Sequence, residues 1–240
     1  MKLDVLAFGA HPDDVELSCS GTLLLEQKRG HRVGIADLTL GELGTRGDVE
    51  TRREEAEKSS AILGLSLRIN LELPDGFIQA DRSSILAVIR VLRQFQPDVV
   101  LAPALEDRHP DHGRAGDLVT EACFLAGLAK IETQWQPGEV PQQPWRPRAL
   151  HQYIQDGFLK PDFVVDITSV MDQRMQSILA YGTQFFDPAA PAPNTYISSP
   201  EFLESIKSRA REMGRMAGFL YGEGFTTRRV PGVKSVLDLF

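Results

Sequence analysis

The chain is 240 residues long, 42% hydrophobic and 25% charged, an ordinary composition that supplies enough apolar material for a sizeable core. Its formal net charge is -7, from 26 basic and 33 acidic residues. That balance argues against nonspecific nucleic-acid binding and against adhesion to anionic membranes. The chain opens Met1-Lys2-Leu3-Asp4, unlike a signal peptide, and no apolar run is long enough to span a bilayer. Cys19 and Cys123 sit in apolar, helical-looking stretches and read as buried reduced thiols, which suits a cytoplasmic home.

Residues 3–9 form a short, mostly apolar run that reads as a buried strand. Residues 15–29 have helical character, with Gly30 as a C-cap, and 31–40 read as a second strand. A glycine-rich loop at 41–50 leads into a helix over 51–63 that Gly64 stops. This loop lacks the Lys-Ser/Thr ending of a phosphate loop and reads as a mobile cleft wall. Residues 67–71 are a third strand, Pro74-Asp75-Gly76 marks a turn, and Arg82–Phe95 is an amphipathic helix that Pro97 breaks. Residues 98–102 are a fourth strand and 113–130 are helical again. Residues 130–148, rich in proline and holding both tryptophans, have no period and read as an irregular excursion. Two more strands fall at 149–154 and 163–167, and a second irregular excursion at 187–200. Ser199 then caps a helix whose first position is Pro200, with Leu203, Ile206, Ala210, Met213, Ala217 and Leu220 on its buried face. The tail, ending Val236-Leu237-Asp238-Leu239-Phe240, is apolar enough to pack on the body or on a neighbouring subunit. This strand–helix alternation defines an α/β fold in one domain over 1–240, with a mostly parallel sheet and helices on both faces.

In such sheets ligands bind at the carboxyl ends of the strands. Ala10-His11-Pro12-Asp13-Asp14 directly follows the first strand, and His109-Pro110-Asp111-His112 follows the fourth. If those two strands are neighbours, the two segments meet at the switch point. His11, Asp14 and His112 then make a His₂Asp set with an open position, the pattern of a catalytic zinc site. The same ligand types also accept Fe²⁺ or Co²⁺. Zinc lowers the pKa of a bound water to about 7, and Asp13 is placed to take that water's proton. His109 could face the same cavity and stabilise an oxyanion or protonate a leaving amine. A single His-Pro-Asp is an ordinary turn sequence. Two of them at two strand ends, holding three of the chain's five histidines, point to a hydrolase site.

At these residues the chain resembles the PIG-L/LmbE-like zinc N-deacetylases, whose AHPDD and HxDH-type motifs match Ala10 to Asp14 and His109 to His112. Gly44-Thr45-Arg46-Gly47, Arg52, Glu55-Ala56 and Leu73-Pro74-Asp75-Gly76 also look like this family. Segments 181–185 and 197–203 and Gly222-Glu223-Gly224-Phe225 are most similar to its bacillithiol-pathway branch, the N-acetylglucosaminyl-malate deacetylases. The resemblance implies a Rossmann-like fold, zinc on His11, Asp14 and His112, Asp13 as general base and His109 as oxyanion stabiliser. It further implies that Arg52 binds the malate carboxylates, that Asp75 holds sugar hydroxyls, and that the chain assembles as a homo-oligomer, a hexamer. The substrate so implied is a small sugar conjugate, N-acetylglucosaminyl-malate. Alternatives are a mycothiol-type precursor, a thiol S-conjugate amide, a chitooligosaccharide, or a non-catalytic sugar- or nucleotide-binding module. Arg52, near the end of the second strand, also has a fork suited to a carboxylate, or could pair in solvent with Glu54 or Glu55. Asp75 could simply form its turn. His31 reads as a surface residue, and His151 and Tyr196 receive no role.

Overall fold

The structure, a computed structural model, describes residues 1–185 and 193–239. The expected excursion at 187–200 therefore lies partly outside the described residues. One seven-stranded sheet organises the chain: β1 (Val5–Gly9), β2 (Val33–Thr39), β3 (Leu67–Leu73), β4 (Val99–Ala102), β5 (Ala149–Tyr153), β6 (Phe163–Asp166) and β7 (Gly222–Thr227). Their order is β3-β2-β1-β4-β5-β7-β6. β1 pairs in parallel with β2 on one side (Val5↔Val33) and with β4 on the other (Val5↔Val99). The sheet thus grows away from β1 in both directions, and the crevice between the ends of β1 and β4 is its switch point. β5 continues in parallel, whereas β7 runs antiparallel to both β5 and β6.

Both faces are covered, which is why β1 and β2 are buried throughout. Successive β1 side chains alternate between two apolar layers. Val5 and Ala7 join the layer under α2 (Ser20–Lys28), α3 (Val49–Leu63), α6 (Met171–Leu179) and α7 (Pro200–Ala217). Leu6 and Phe8 join the layer under α4 (Arg82–Phe95) and α5 (Pro110–Leu125). Cys19 and Cys123 are free thiols, one in each layer. Among the described residues no helix is long and apolar enough to cross a membrane.

Several expectations change in detail. The helix expected over 15–29 is two: α1 (Asp14–Ser18) ends at Cys19, where φ is -144°, and α2 begins at Ser20. The helix expected from 113 begins at Pro110, three residues earlier, and ends at Leu125. α6 and β7 were not expected, the first because residues 168–180 lack a long apolar period. β7 is Gly-Glu-Gly-Phe-Thr-Thr, and its glycines hide a strand that lateral pairing enforces. Gly222 and Gly224 stand where a Cβ would meet Val164 and Met213 at 2.4 and 2.8 Å. The excursion at 130–148 has no helix or strand, yet it is anchored. The Arg93 guanidinium donates to the carbonyls of Ala126, Leu128 and Ile131 and to the Thr133 hydroxyl. The tail does not pack on the body at Val236 and Leu237, which are 76% and 66% exposed.

Candidate active site

The segment after β1 is shaped by backbone constraints. At Gly9 a Cβ would stand 2.8 Å from the His11 carbonyl oxygen, so only glycine lets the chain double back there. Asp13 follows with φ 119° and ψ -22°, a conformation that costs a side-chain-bearing residue about 1–3 kcal/mol. The turn closes on Asp14, whose Oδ2 accepts the His11 backbone N–H at 2.8 Å. The second segment is a helix start. His109 is the N-cap of α5, its Nδ1 accepting the Asp111 N–H at 3.3 Å, with Pro110 at the first position. His112 therefore lies in the first turn and points back towards the end of β1.

Because β1 and β4 are neighbours, the two segments meet as expected. The His11 and His112 ring centroids are 5.6 Å apart, and His109 lies 4.8 Å from His11 and 5.1 Å from His112. Asp14 stands between the two: Oδ2 is 3.4 Å from His11 Nδ1 and Oδ1 is 3.2 Å from His112 Nε2. Each ring also has a carboxylate on its outer nitrogen. His11 Nε2 is 3.0 Å from Asp75 Oδ1, and His112 Nδ1 is 2.5 Å from Asp107 Oδ2. In the metal-free chain Asp14 and the outer carboxylates hold both rings protonated, so each ring has a carboxylate against both of its nitrogens. A divalent cation would take the place of the inner ring protons, with the outer carboxylates keeping the other ring N–H groups. This donor set fits a divalent metal ion, and imidazole with carboxylate suits zinc, iron or cobalt. Ring nitrogens of His11, His109 and His112 also fall within 4.8 Å of one another, as do atoms of His11, Asp75 and Asp111. His109 uses Nδ1 as an acceptor, so its proton sits on Nε2, which makes it a donor towards the cavity and unsuited as a ligand.

The electrostatics separate the two adjacent carboxylates. Burial raises the Asp13 carboxyl; Arg52 opposes this, Asp14 adds to it, and the result is a pKa of about 7. Burial would also raise Asp14, but His112 and His11 outweigh it and hold it well below the usual range. His112 is pulled down by burial and lifted by Asp14 and Asp107 to about 9. His109 is lowered, by burial first and then by the charges of His11 and His112. Asp75 is held at about 2 in spite of burial, by bonds from His11 and from the Leu43 N–H.

These groups line a cavity of about 420 Å³. Arg52 lies in its wall, 6% exposed, where Nη2 donates to Gln184 Oε1 and stands 3.8 Å from Asp13 Oδ2, and Nη1 donates to the Pro12 carbonyl at 3.4 Å. The pairing with Glu54 or Glu55 does not occur; Glu55 instead accepts from Thr183. Gly41, at φ +67°, makes room, since a Cβ there would meet Arg52 Nη1 at 2.3 Å. Asp75 lines the cavity with Oδ2 accepting the Leu43 N–H at 2.9 Å. Tyr196 reaches the mouth, stacked on Arg108, while His151 is elsewhere, packed on Phe163. His31 is exposed, as expected.

Sequence reasoning missed Asp107 and Gln155. Asp107 lies five residues before His112, and no periodicity marks it. Gln155 donates to Asp14 Oδ1 at 2.6 Å. Its only signal is position, just past the end of β5, the next strand beyond β4.

The mostly parallel sheet and the imidazole–carboxylate cluster at its switch point define an α/β protein whose donor set fits a metal ion. The chain belongs to the PIG-L family: the family described as PIG-L, GlcNAc-PI de-N-acetylase, matches residues 6–123. It is 29% identical over 239 residues to the diacetylchitobiose deacetylase of Thermococcus kodakarensis, covering 95% of this chain and 84% of that one. It is 30% identical to the 4-oxalmesaconate hydratase of Pseudomonas putida (72% and 70% covered). It is 26% identical to a probable N-acetyl-alpha-D-glucosaminyl L-malate deacetylase of Bacillus subtilis (77% and 84% covered). Among solved structures, a conserved protein of Thermus thermophilus is 36% identical, with TM-score 0.85 and 98% of each chain covered.

Proposed function

We propose that this chain is a zinc-dependent N-deacetylase that removes acetyl from an N-acetylglucosaminyl conjugate, with N-acetylglucosaminyl-malate of bacillithiol biosynthesis as the favoured substrate. The observation that carries the reading is Asp14 held between His11 Nδ1 and His112 Nε2, with Asp13 beside it in the cavity. His11, Asp14 and His112 would hold the metal ion. When bound, a divalent cation there supplies Lewis acidity, which activates water and polarises a carbonyl. Asp13, in the cavity beside Asp14, is placed to accept a proton from the attacking water and to pass it to the departing amine nitrogen. Asp13 faces Arg52 whereas Asp14 faces the two histidines, so the neighbours serve different tasks. His109 Nε2–H donates to the oxyanion developing on the acetamide. Neutral His109 suffices for that, in keeping with its lowered pKa. Arg52 holds Asp13 from the other side and reads the malate carboxylates. Free buried thiols support a reducing, cytoplasmic setting.

The test is acetate release by purified protein from N-acetylglucosaminyl-malate, plain N-acetylglucosamine and a chitooligosaccharide. Activity is expected to vanish with chelator and to return with Zn²⁺. Asp13→Ala is expected to lose about 10²–10⁴-fold while keeping its metal. Arg52→Ala is expected to hurt the malate conjugate more than plain N-acetylglucosamine. Full turnover by Asp13→Ala would overturn its role, and equal losses in Arg52→Ala would favour another conjugate. Absence of acetate from every substrate would turn attention to hydration, the reaction named for the Pseudomonas relative.

A further inference from the structure

We infer that Asp75 and Asp107 are a pair of positioning carboxylates that set opposite tautomers on the two histidines of the metal centre. His11 is held with its proton on Nε2 and His112 with its proton on Nδ1. The inference rests on the metal reading above but not on the choice of substrate. His11 Nε2 stands 3.0 Å from Asp75 Oδ1, and His112 Nδ1 stands 2.5 Å from Asp107 Oδ2, both close enough for a hydrogen bond. Neither carboxylate is free to turn. Asp75 Oδ2 accepts the Leu43 N–H at 2.9 Å, and the Asp75 N–H donates to Glu42 Oε1 at 2.9 Å. Asp107 Oδ1 accepts the N–H groups of Arg108 and Gly157 at 2.7 and 2.6 Å. Each outer carboxylate is thus locked by backbone donors and presents its remaining oxygen to one ring. The ring's other nitrogen faces Asp14, which stands 3.4 Å from His11 Nδ1 and 3.2 Å from His112 Nε2, and this is the nitrogen that would lose its proton to a bound metal ion.

The consequence is an asymmetric centre. One ligand uses its near nitrogen, Nδ1, because His11 sits in the turn leaving β1 with its ring folded back on Asp14. The other uses its far nitrogen, Nε2, because His112 reaches across from α5. This gives Asp75 a different task from holding sugar hydroxyls. An outer carboxylate orients the ring and raises its basicity, and losing one costs about 10–100-fold in metal affinity.

Two measurements on the full chain test this. Long-range ¹H–¹⁵N correlation spectra of the zinc-loaded, histidine-labelled protein report which ring nitrogen carries the proton. The expected result is Nε2–H for His11 and Nδ1–H for His112; the same tautomer on both would overturn the inference. Zinc affinity is measured by chelator competition, without substrate, for Asp75→Asn and Asp107→Asn. A loss of about 10–100-fold in each is expected. Wild-type affinity in Asp75→Asn, with only KM for the sugar raised, would return Asp75 to sugar binding and overturn the pairing. Two zinc ions per chain, with His11 deprotonated on both nitrogens, would overturn it in favour of a second ion among His11, Asp75 and Asp111. If a variant fails to fold, the wild-type spectra alone still decide. Failure of the deacetylase reading would show as normal zinc binding without acetate release, a separate result.

Discussion

At the residue scale, the site depends on giving two adjacent aspartates opposite properties. Asp14 is stabilised as an anion by the two histidines, whereas Asp13 is buried against that anion and is raised to about 7. This has a sign that stability measurements can read in the metal-free protein. The unfolded chain releases the Asp13 proton near the ordinary carboxylate value of about 3.9, while the folded chain retains it until about pH 7. Between those values the unfolded state binds fewer protons, so Asp13 makes stability fall as pH rises, with no further loss above pH 7. Asp13→Asn is expected to remove that component of the slope and to raise the Tm of chelated protein at pH 8 by several degrees, at about 2–4 °C per kcal/mol for a domain of this size. It is expected to be inactive, the usual exchange of stability for function at a working site. An unchanged Tm at pH 8 would show that burial does not penalise Asp13.

At the scale of elements, β7 is held in the sheet by a charge placed behind it. Glu223 accepts from the N–H groups of Gly21 and Thr22 at the start of α2, at 2.9 and 2.7 Å, and pairs with Arg174 of α6 at 2.8 Å. One side chain therefore ties the antiparallel strand to two helices beneath the site. Glu223→Ala leaves Arg174 buried without its counter-charge and is expected to cost about 3–5 kcal/mol. The measurement is the shift in urea midpoint at constant slope. Glu223→Gln, which keeps an acceptor for the α2 N–H groups, is expected to lose less. Equal effects would assign the loss to the missing counter-charge of Arg174, which both variants lack.

At the scale of the whole molecule, the net charge of -7 coexists with a mouth carrying Arg108 and Arg209 on either side of Asp156. A small anionic conjugate needs that local field more than a positive total. We propose, on the family resemblance alone, that copies of the chain associate. Sedimentation at micromolar concentration is expected to give a hexamer, and a monomer at all concentrations would overturn the proposal.

The sequence by itself determined the α/β class, most strand positions and the two histidine motifs, because apolar runs, caps and a motif at a strand end are local properties. Arg82–Phe95 is a helix with the expected bounds, since its apolar period, the Asp81 N-cap and Pro97 all act within the segment. Tertiary structure decided what local pattern does not encode. It placed β1 beside β4, bringing His11 and His112 together across 101 positions of chain. It recruited Asp107 and Gln155, ordinary loop residues until the sheet order set them behind His112 and Asp14. It buried Arg52 against Asp13 and made a strand of Gly222–Thr227. Each of these depends on which elements pack side by side, and burial and pairing then override local propensity.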